Sequence, residues 1–173
     1  DVYKRQACLD CTKGFDRVNH NGIYIKLMER KIPLCILDLL RYWYSNLTSR
    51  VKWNGVYSFS FSVSSGVRQG GVLSPHLFSI YMDDLISALR HAKVGCHLIQ
   101  LFLAAIVYAD DIVLMAPTRL ALQSLLTIAM DYAREWCLEY NPTKSKVMIF
   151  GKSVNSEPLQ MYGRNLEFVN EYK

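Results

Sequence analysis

Two pairs of adjacent aspartates are the side chains of this sequence best suited to metal chemistry. They are Asp83–Asp84 and Asp110–Asp111, and each follows a tyrosine and one further residue. Two carboxylates about 4 Å apart repel each other by about 4 kcal/mol at an effective dielectric near 20. A buried carboxylate without a partner costs several kcal/mol more. An aspartate pair in an apolar segment therefore needs a cation, whereas a pair on a solvated surface does not.

The first pair lies on a predicted helix. Ser74-Pro75 is a typical helix start, with Ser74 as the N-cap. Five apolar residues then fall on one helical face: Phe78, Tyr81, Met82, Leu85 and Leu89. At about 100° per residue, Asp83 falls opposite that face and Asp84 on its flank. This pattern indicates a solvated pair.

The second pair lies between two apolar, β-rich runs, "LFLAAIVY" and "IVLM", which predict a hairpin. We expect its surroundings to be buried, and no lysine or arginine occurs in residues 101–118, so a divalent metal is the natural partner. The alternative is an exposed turn, where aspartate is common. The segment alone does not decide between them.

Asp10 favours the interpretation of the second pair as a metal site, because Asp10 too lies at the end of an apolar strand, "ACLD". If that strand lies beside the hairpin, three carboxylates meet at one end of a sheet. Oxygen-only ligation suits Mg²⁺ or Mn²⁺. Two such ions can stabilise both the attacking and the leaving oxygen in phosphoryl transfer.

The elements that must position these aspartates follow from the apolar spacing. We expect strands at 7–10 and 145–151, and hairpins around Asn54-Gly55 and around the second aspartate pair. Helices are predicted at 23–31, 34–47, 74–89 and from Thr118 to about Tyr140. This order predicts an α+β fold, with an antiparallel sheet covered by helices on one face.

Composition is typical of one globular domain: 173 residues, 51% hydrophobic and 20% charged. The net charge of +5 permits a nucleic-acid partner without requiring one. Five scattered cysteines indicate reduced thiols in an intracellular protein, nuclear or cytoplasmic. Cys8 and Cys11 would face opposite sides of a strand, which disfavours a shared metal. No apolar run is long enough to predict a membrane span.

Four segments, in this order, resemble the palm motifs of reverse transcriptases, specifically those of non-LTR (LINE-type) retrotransposons. They are "CLDCTKGFDRVNH" (8–20), "GVRQGGVLSPHLFSIYMDDL" (66–85), "VYADDIVLMAPT" (107–118) and "YNPTKSKVMIFG" (140–151). The resemblance implies a right-hand polymerase palm with a small part of the fingers. It also implies an RNA-directed DNA polymerase that uses an RNA template, a DNA primer, dNTPs and two Mg²⁺ ions, with Mn²⁺ as a substitute.

The resemblance assigns roles around the second aspartate pair. Asp10 and Asp110 match the metal ligands, and Asp111 matches a neighbour that contacts metal or primer end less directly. Tyr108 is expected to pack against the primer end. Lys144 matches the lysine proposed to protonate the leaving pyrophosphate, and the alternative is an exposed loop cation. On this assignment the tetrapeptide "YMDD" at 81–84 looks like a catalytic motif but is not the metal site.

Further residues match substrate-binding positions of the family. Phe15 occupies the place of a steric gate against a ribose 2′-hydroxyl, with a core phenylalanine as the alternative. Lys13 could meet the triphosphate, unless it is simply solvated. Arg68 is structural or binds template phosphate. Gln69 and Gly70 match the loop that borders the incoming nucleotide and the template.

The resemblance also sets expectations about extent. Residues 1–6 do not fit the family and are expected to be a foreign or unstructured leader, followed by a palm fragment at 7–173 with fingers and thumb largely missing. The full-length form would include the rest of a retroelement polyprotein. Two alternatives stay open: a non-catalytic truncated remnant with weak nucleic-acid binding, and an unrelated metal-dependent phosphodiesterase. The last would need a histidine or further glutamate near the aspartates.

Overall fold

A computed structural model describes residues 4–151 and 157–171 of the chain. The helices in these residues are α1 (Gly14–Arg17), α2 (His20–Glu29), α3 (Leu34–Ser45), α4 (Ser74–His91) and α5 (Arg119–Glu135). The strands of the first half are β1 (Lys4–Asp10), β2 (Thr48–Ser49), β3 (Lys52–Trp53), β4 (Val56–Tyr57) and β5 (Phe61–Ser62). Those of the second half are β6 (His97–Leu98), β7 (Leu101–Phe102), β8 (Ala105–Tyr108), β9 (Asp111–Ala116), β10 (Lys146–Phe150), β11 (Gln160–Met161), β12 (Arg164–Asn165) and β13 (Glu167–Phe168).

The chain divides into two compact units. One consists of Asp1–Gly14 with Met82–Lys173, and the other is Phe15–Tyr81. The first unit contains a five-stranded sheet in the order β13-β10-β1-β9-β8. All of its neighbouring strands are antiparallel except the parallel pair β10–β13. The predicted α+β class with an antiparallel sheet is therefore confirmed.

The central strand β1 is covered on both faces, since Ala7, Cys8 and Leu9 are all buried although they alternate in direction. Helix α5 packs against β1 and β9. Its buried residues recur at helical spacing: Leu122, Leu125, Leu126, Ala129, Tyr132 and Ala133. The apolar stripe of α5 thus holds in place the two strands that carry aspartates at their ends.

Helix α5 begins as predicted and ends earlier than predicted. The Thr118 side chain accepts a hydrogen bond from the Ala121 N–H at 3.2 Å, which makes Thr118 the N-cap. The predicted end at Tyr140 is wrong, because the helix stops at Glu135. Cys137 adopts a left-handed φ of 59°, and the Leu138 N–H turns back to the Ala133 carbonyl. This closing bond satisfies a terminal carbonyl and ends the helix.

The predicted leader at 1–6 overlaps β1 and needs correction. Lys4, Arg5 and Gln6 pair with Phe150, Ile149 and Met148 of β10, so these three residues are not unstructured. Residues 1–3 lie outside the described part of the chain. The sequence was misleading here because backbone pairing with neighbouring strands does not require apolar side chains at a strand's end.

The second unit contains α2, α3 and a hairpin. β3 pairs with β4, as the Asn54-Gly55 dipeptide predicts, and β2 pairs with β5 beyond them. Asn54 and Gly55 have φ of 46° and 81°, the left-handed pair that a type I′ turn requires. No helix among residues 4–151 and 157–171 is long and apolar enough to cross a membrane. None of the five cysteines, all of which lie in the described part of the chain, forms a disulfide.

Candidate active site

Strand register brings the predicted catalytic aspartates together. Asp10, the last residue of β1, is the direct partner of Asp111, the first residue of β9. Facing residues of an antiparallel pair have Cβ atoms about 5 Å apart on the same face. Asp110 precedes Asp111 by one residue, so its Cα lies within about 9 Å of the Asp10 Cα. Residues about a hundred positions apart in the chain therefore converge at one end of the sheet.

The donor set fits a divalent cation that prefers oxygen. The facing carboxylates of Asp10 and Asp111 could together offset a 2+ charge, and Asp110 is the adjacent third donor. In the described ranges, no group of three or more histidine, cysteine, aspartate or glutamate side chains is close enough to hold a metal ion. A site that uses all three aspartates therefore needs at least one side chain to reorient.

The surroundings of the second aspartate pair are less buried than the apolar runs suggested, and the alternative of an exposed turn fits better. Asp111 is exposed and Asp110 is half-buried. The preceding strand β8 is at the edge of the sheet, and its Ile106 and Tyr108 are exposed. A run of apolar residues indicates a strand but does not say that both of its faces are covered. The case for a metal therefore depends on the register with Asp10 and not on the cost of burial.

The turn before Asp111 has an uncommon backbone. Tyr108 pairs with Asp111, which leaves Ala109 and Asp110 as a two-residue hairpin loop. Ala109 has a left-handed φ of 53°, which costs an L-residue about 1 kcal/mol. Tyr108 is 82% exposed and so is open to a partner, which the predicted contact with a primer end would require.

Two residues of the 140–151 motif, Asn141 and Ser145, hold the backbone of Asp10 on both sides, and neither was assigned a role from the sequence. The Asp10 N–H donates to the buried Ser145 hydroxyl at 3.2 Å. The Asp10 carbonyl accepts from the Asn141 N–H at 2.9 Å. The available signal was the Asn-Pro dipeptide at 141–142, which marks a turn. The strand pattern of 145–151 gives no indication that its first residue, Ser145, contacts Asp10.

Lys144 is placed beside Asp10 by the same turn. The Asn141 side-chain oxygen accepts from the N–H groups of Thr143 and Lys144, which is an Asx turn. The Lys144 Nζ lies 3.8 Å from Asp10 Oδ2, with the lysine 67% and the aspartate 29% exposed. An ion pair of this length and exposure is weak. Lys144 is thus near the aspartates without being fixed there.

Tyr140 and Cys8 are buried groups near the aspartates. Tyr140 forms a backbone bridge with Cys11, and burial raises its pKa well above the ordinary value. Burial raises the pKa of the Cys8 thiol as well, and the charge of Asp111 adds to this effect against a hydrogen bond from Gln6. Since metal binding needs the thiolate, a protonated Cys8 is a poor ligand. Lys13 is exposed and has a left-handed φ of 51°.

The other predicted substrate residues belong to the second unit. Phe15 is half-buried and stacks on Phe78, with ring centroids 4.5 Å apart and planes 10° apart. Gln69 is exposed, and its amide donates to an Asp16 carboxylate oxygen at 3.1 Å. Arg68 is exposed, and its carbonyl accepts from the Ser74 hydroxyl. Their roles toward a substrate stay predictions, as does that of Gly70, which has a left-handed φ of 78°.

The first aspartate pair lies on α4, as predicted. The five residues of the proposed apolar face are all buried: Phe78, Tyr81, Met82, Leu85 and Leu89. Asp83 is exposed and Asp84 is half-buried. The helical spacing therefore separated "YMDD" correctly from the strand-borne pair.

Comparison with known proteins identifies one family. The family model described as "Reverse transcriptase (RNA-dependent DNA polymerase)" matches residues 3–166. The chain is 32% identical over 154 residues to the Pol polyprotein of the type-2 retrotransposable element R2DM of Drosophila melanogaster, which covers 89% of this chain and 14% of that protein. It is 28% identical over 178 residues to the RNA-directed DNA polymerase from mobile element jockey of Drosophila funebris, which covers 99% of this chain and 19% of that protein. The chain thus spans less than a fifth of these relatives.

Solved structures share the fold. Telomerase from Candida tropicalis truncated from its C-terminal domain superposes with a TM-score of 0.67 at 15% identity, over 94% of this chain and 34% of that one. The telomerase from Candida tropicalis in complex with a TWJ fragment of telomeric RNA gives 0.67 at 13% identity, over 95% of this chain and 28% of that one. At such low identity the likeness supports the predicted polymerase fold and nothing beyond it.

Proposed function

Because the chain belongs to the reverse transcriptase family, we propose that its aspartates form the catalytic centre of an RNA-directed DNA polymerase. The kinship with retrotransposon enzymes, expected from four motifs, is confirmed by the R2 and jockey relatives. The observation that carries the proposal is the register that pairs Asp10 with Asp111 and places Asp110 next to them. The substrates we propose are an RNA template, a DNA primer and dNTPs.

The proposed reaction is nucleotidyl transfer. The primer 3′-oxygen forms a bond to the α-phosphorus of a dNTP and passes its proton to solvent water, while the bond from that phosphorus to pyrophosphate breaks. Asp10, Asp110 and Asp111 would hold two Mg²⁺ ions, or Mn²⁺. When bound, such ions neutralise charge on the attacking and leaving oxygens. The Asp10 backbone, fixed by Ser145 and Asn141, keeps one ligand oriented before substrate arrives.

The remaining residues act on the substrate. Lys144, 3.8 Å from Asp10, donates a proton to the leaving pyrophosphate. Lys13 adds positive charge at the triphosphate. The exposed ring of Tyr108 packs on the primer end. Phe15, its ring fixed by stacking on Phe78, excludes a ribose 2′-hydroxyl.

The loop at 66–71 completes the proposed set. Gln69 and Gly70 border the nucleotide and the template, and exposed Arg68 meets template phosphate. We propose that the chain functions within a retroelement polyprotein, since its R2 relative is named a Pol polyprotein. Its five cysteines form no disulfide in the described residues, which is consistent with an intracellular setting.

The test is primer extension by residues 1–173 on an RNA template with a DNA primer, dNTPs and Mg²⁺. We expect Asp110→Asn to abolish extension. Asp83→Asn is the matched control, because it makes the same change in the exposed helical pair, and it should retain activity. Activity in both variants, or loss of activity in both when the unaltered chain is active, would contradict the proposed centre.

A metal-binding measurement distinguishes a non-catalytic remnant from an incorrectly assigned metal site. Mn²⁺ binding, measured by electron paramagnetic resonance, should be lost in Asp10→Asn and kept in Asp83→Asn. A folded chain that binds Mn²⁺ through Asp10 but does not extend primers is the non-catalytic remnant. A chain that cleaves nucleic acid without dNTPs would be a phosphodiesterase.

A further inference from the structure

The hairpin of the second unit exposes an unusual amount of aromatic surface. Every residue from Thr48 to Ser62, here called the hairpin surface, is exposed. Trp53 is 76% exposed and Phe59 is 97% exposed. Aromatic rings in a folded protein are seldom this open, and a cluster of them marks a surface that meets a partner.

The ladder of the hairpin has a β-bulge beside Phe59. The inner pair β3–β4 joins Lys52 to Tyr57, and the outer pair β2–β5 joins Ser49 to Phe61. Between these pairs, three residues at 58–60 face two residues at 50–51. The Ser58 N–H donates to the Val51 carbonyl, so Phe59 lies next to the extra position in the ladder. Bulges of this kind redirect a side chain away from the regular strand.

Positive charge accompanies the rings. No aspartate or glutamate occurs between Asp38 and Asp83 in the sequence, whereas four cationic side chains do: Arg41, Arg50, Lys52 and Arg68. On the hairpin surface, the Arg50 Nε donates to the Ser60 hydroxyl at 2.8 Å, which fixes the guanidinium. The Lys52 Nζ lies 5.3 Å from the centre of the Tyr57 ring. Two cations and four aromatic rings therefore occur within one short hairpin.

This combination matches one ligand chemistry. Proteins that hold single strands without reading their sequence pair cations for the phosphates with aromatic rings for the bases. An apolar protein partner would match the rings, but it would not explain a stretch of more than forty residues without a carboxylate. The chemistry on the hairpin is that of an unpaired polynucleotide.

We propose that the hairpin surface is a binding site for single-stranded RNA, separate from the aspartate centre. Phosphates meet Arg50 and Lys52, and unpaired bases stack on Trp53 and Phe59. The choice of RNA over DNA rests on the proposed function, in which the chain works on an RNA template. The hairpin and the aspartates belong to different compact units, so each can be tested without altering the other.

The test is fluorescence anisotropy with a labelled oligo(U) of about 12 nucleotides. It is run on Asp110→Asn in EDTA, so that neither metal nor catalysis contributes. Phe59→Ala and Trp53→Ala should each weaken binding about tenfold. Leu120→Ala, which removes an exposed apolar side chain from α5, should not. Because all these side chains are exposed, the fold should tolerate the changes.

The salt dependence tests the cations. Replacing Arg50 or Lys52 by Gln should reduce the slope of log Kd against log salt by about 0.7 for each charge removed. Lys93→Gln, at an exposed position of the other unit, should leave the slope unchanged. Wild-type affinity in the two ring variants, an unchanged slope, or no binding by the parent would overturn the proposal.

Two other outcomes would also overturn it. An oligo(dT) bound tenfold more tightly than oligo(U) would contradict the assignment to RNA. Self-association of the chain that Phe59→Ala abolishes, with RNA affinity unchanged, would make the hairpin a protein interface. Failure of the aspartate centre is distinguishable, because Asp110→Asn would then extend primers while the hairpin variants still lost RNA affinity.

Discussion

Ser145 is a small residue with a large influence on the proposed centre. Its hydroxyl is fully buried and accepts the Asp10 N–H at 3.2 Å, at the point where β1 leaves the sheet. Asp10 itself is a metal ligand only if its side chain starts from a fixed backbone. The second bond, from the Asn141 N–H to the Asp10 carbonyl, fixes the other side of the same residue. Together these two bonds hold the Asp10 backbone in place in the chain on its own.

We predict that Ser145→Ala lowers stability and weakens metal binding. The change leaves the Asp10 N–H without its acceptor, which costs about 1–3 kcal/mol in a buried setting. We also expect a higher Mg²⁺ concentration to be needed for half-maximal primer extension, because Asp10 becomes less well oriented. Chemical denaturation and Mg²⁺ titration measure the two effects.

Ser124→Ala is the matched control for this prediction. Ser124 is exposed on α5, and its hydroxyl donates to the Leu120 carbonyl one turn earlier at 3.0 Å. It should change neither stability nor Mg²⁺ dependence appreciably. Loss of stability in Ser145→Ala with an unaltered Mg²⁺ requirement would show that the hydroxyl supports the fold without positioning the ligand.

Two glycines in the loop at 66–71 both have a positive φ, but their surroundings differ. Gly66 has φ of 90°, and a Cβ there would lie 2.8 Å from the Asp16 carbonyl oxygen. Gly70 has φ of 78°, and nothing lies within 4 Å of a Cβ. The Gly66 N–H also donates to the Val18 carbonyl at 2.8 Å. Gly66 therefore allows the loop to pack closely against α1. At Gly70 glycine is favoured only by the positive φ.

We predict that Gly66→Ala is much more costly than Gly70→Ala. In both variants the left-handed alanine lowers the free energy of unfolding by about 1 kcal/mol. In Gly66→Ala the new Cβ also collides with backbone, so the total loss of stability is about 2–5 kcal/mol. In a Trp136→Phe background, tryptophan fluorescence reports the second unit alone, through Trp43 and Trp53. Equal urea midpoints for the two variants would contradict this account.

The type of each element was predictable wherever the signal is local. Asn54 and Gly55 readily adopt the two left-handed conformations of a type I′ turn, so this dipeptide predicted the hairpin correctly. The apolar face of α4 correctly assigned the first aspartate pair to a helix. The hairpin β6–β7 was missed, because its apolar strands look like one continuous run. The exposure of β8 was missed as well. Which strand is at an edge depends on pairing across the whole chain, and no local pattern encodes it.

The candidate site was predictable only in its residue types. The sequence placed Asp10 and Asp110 at the ends of apolar strands, and the register of β1 with β9 brings those ends together. The contacts of Ser145 and Lys144 with Asp10 arise from a third strand and the turn before it. Those contacts depend on β10 lying on the other side of β1, which the sequence alone did not specify.

At the scale of the whole chain, burial of tyrosines links stability to alkaline pH. Tyr140 is fully buried, and its hydroxyl has no hydrogen-bond partner among the described residues. Burial raises its pKa well above the ordinary value of 10.0. It also raises the pKa of Tyr24, Tyr44 and Tyr162, which are less buried. In each case the neutral form is favoured in the folded chain.

The sign of the effect follows from proton binding. Above about pH 10 the unfolded chain loses these protons before the folded chain does, so the free energy of unfolding falls as pH rises. Each fully protected tyrosine contributes up to about 1.4 kcal/mol per pH unit. The stability associated with Tyr140 is therefore complete at neutral pH and is lost in the alkaline range.

We predict that Tyr140→Phe flattens this alkaline loss without destabilising the chain at pH 7. Phenylalanine keeps the buried ring and removes a hydroxyl whose unpaired burial is itself unfavourable by about 1–3 kcal/mol. Stability at pH 7 should stay equal or rise, and the gap between variant and wild type should widen from about pH 10 upward. Urea unfolding at a series of pH values measures both. Parallel curves through that range would mean that Tyr140 ionises as readily when folded as when unfolded. A loss of stability at pH 7 would mean that its hydroxyl has a partner.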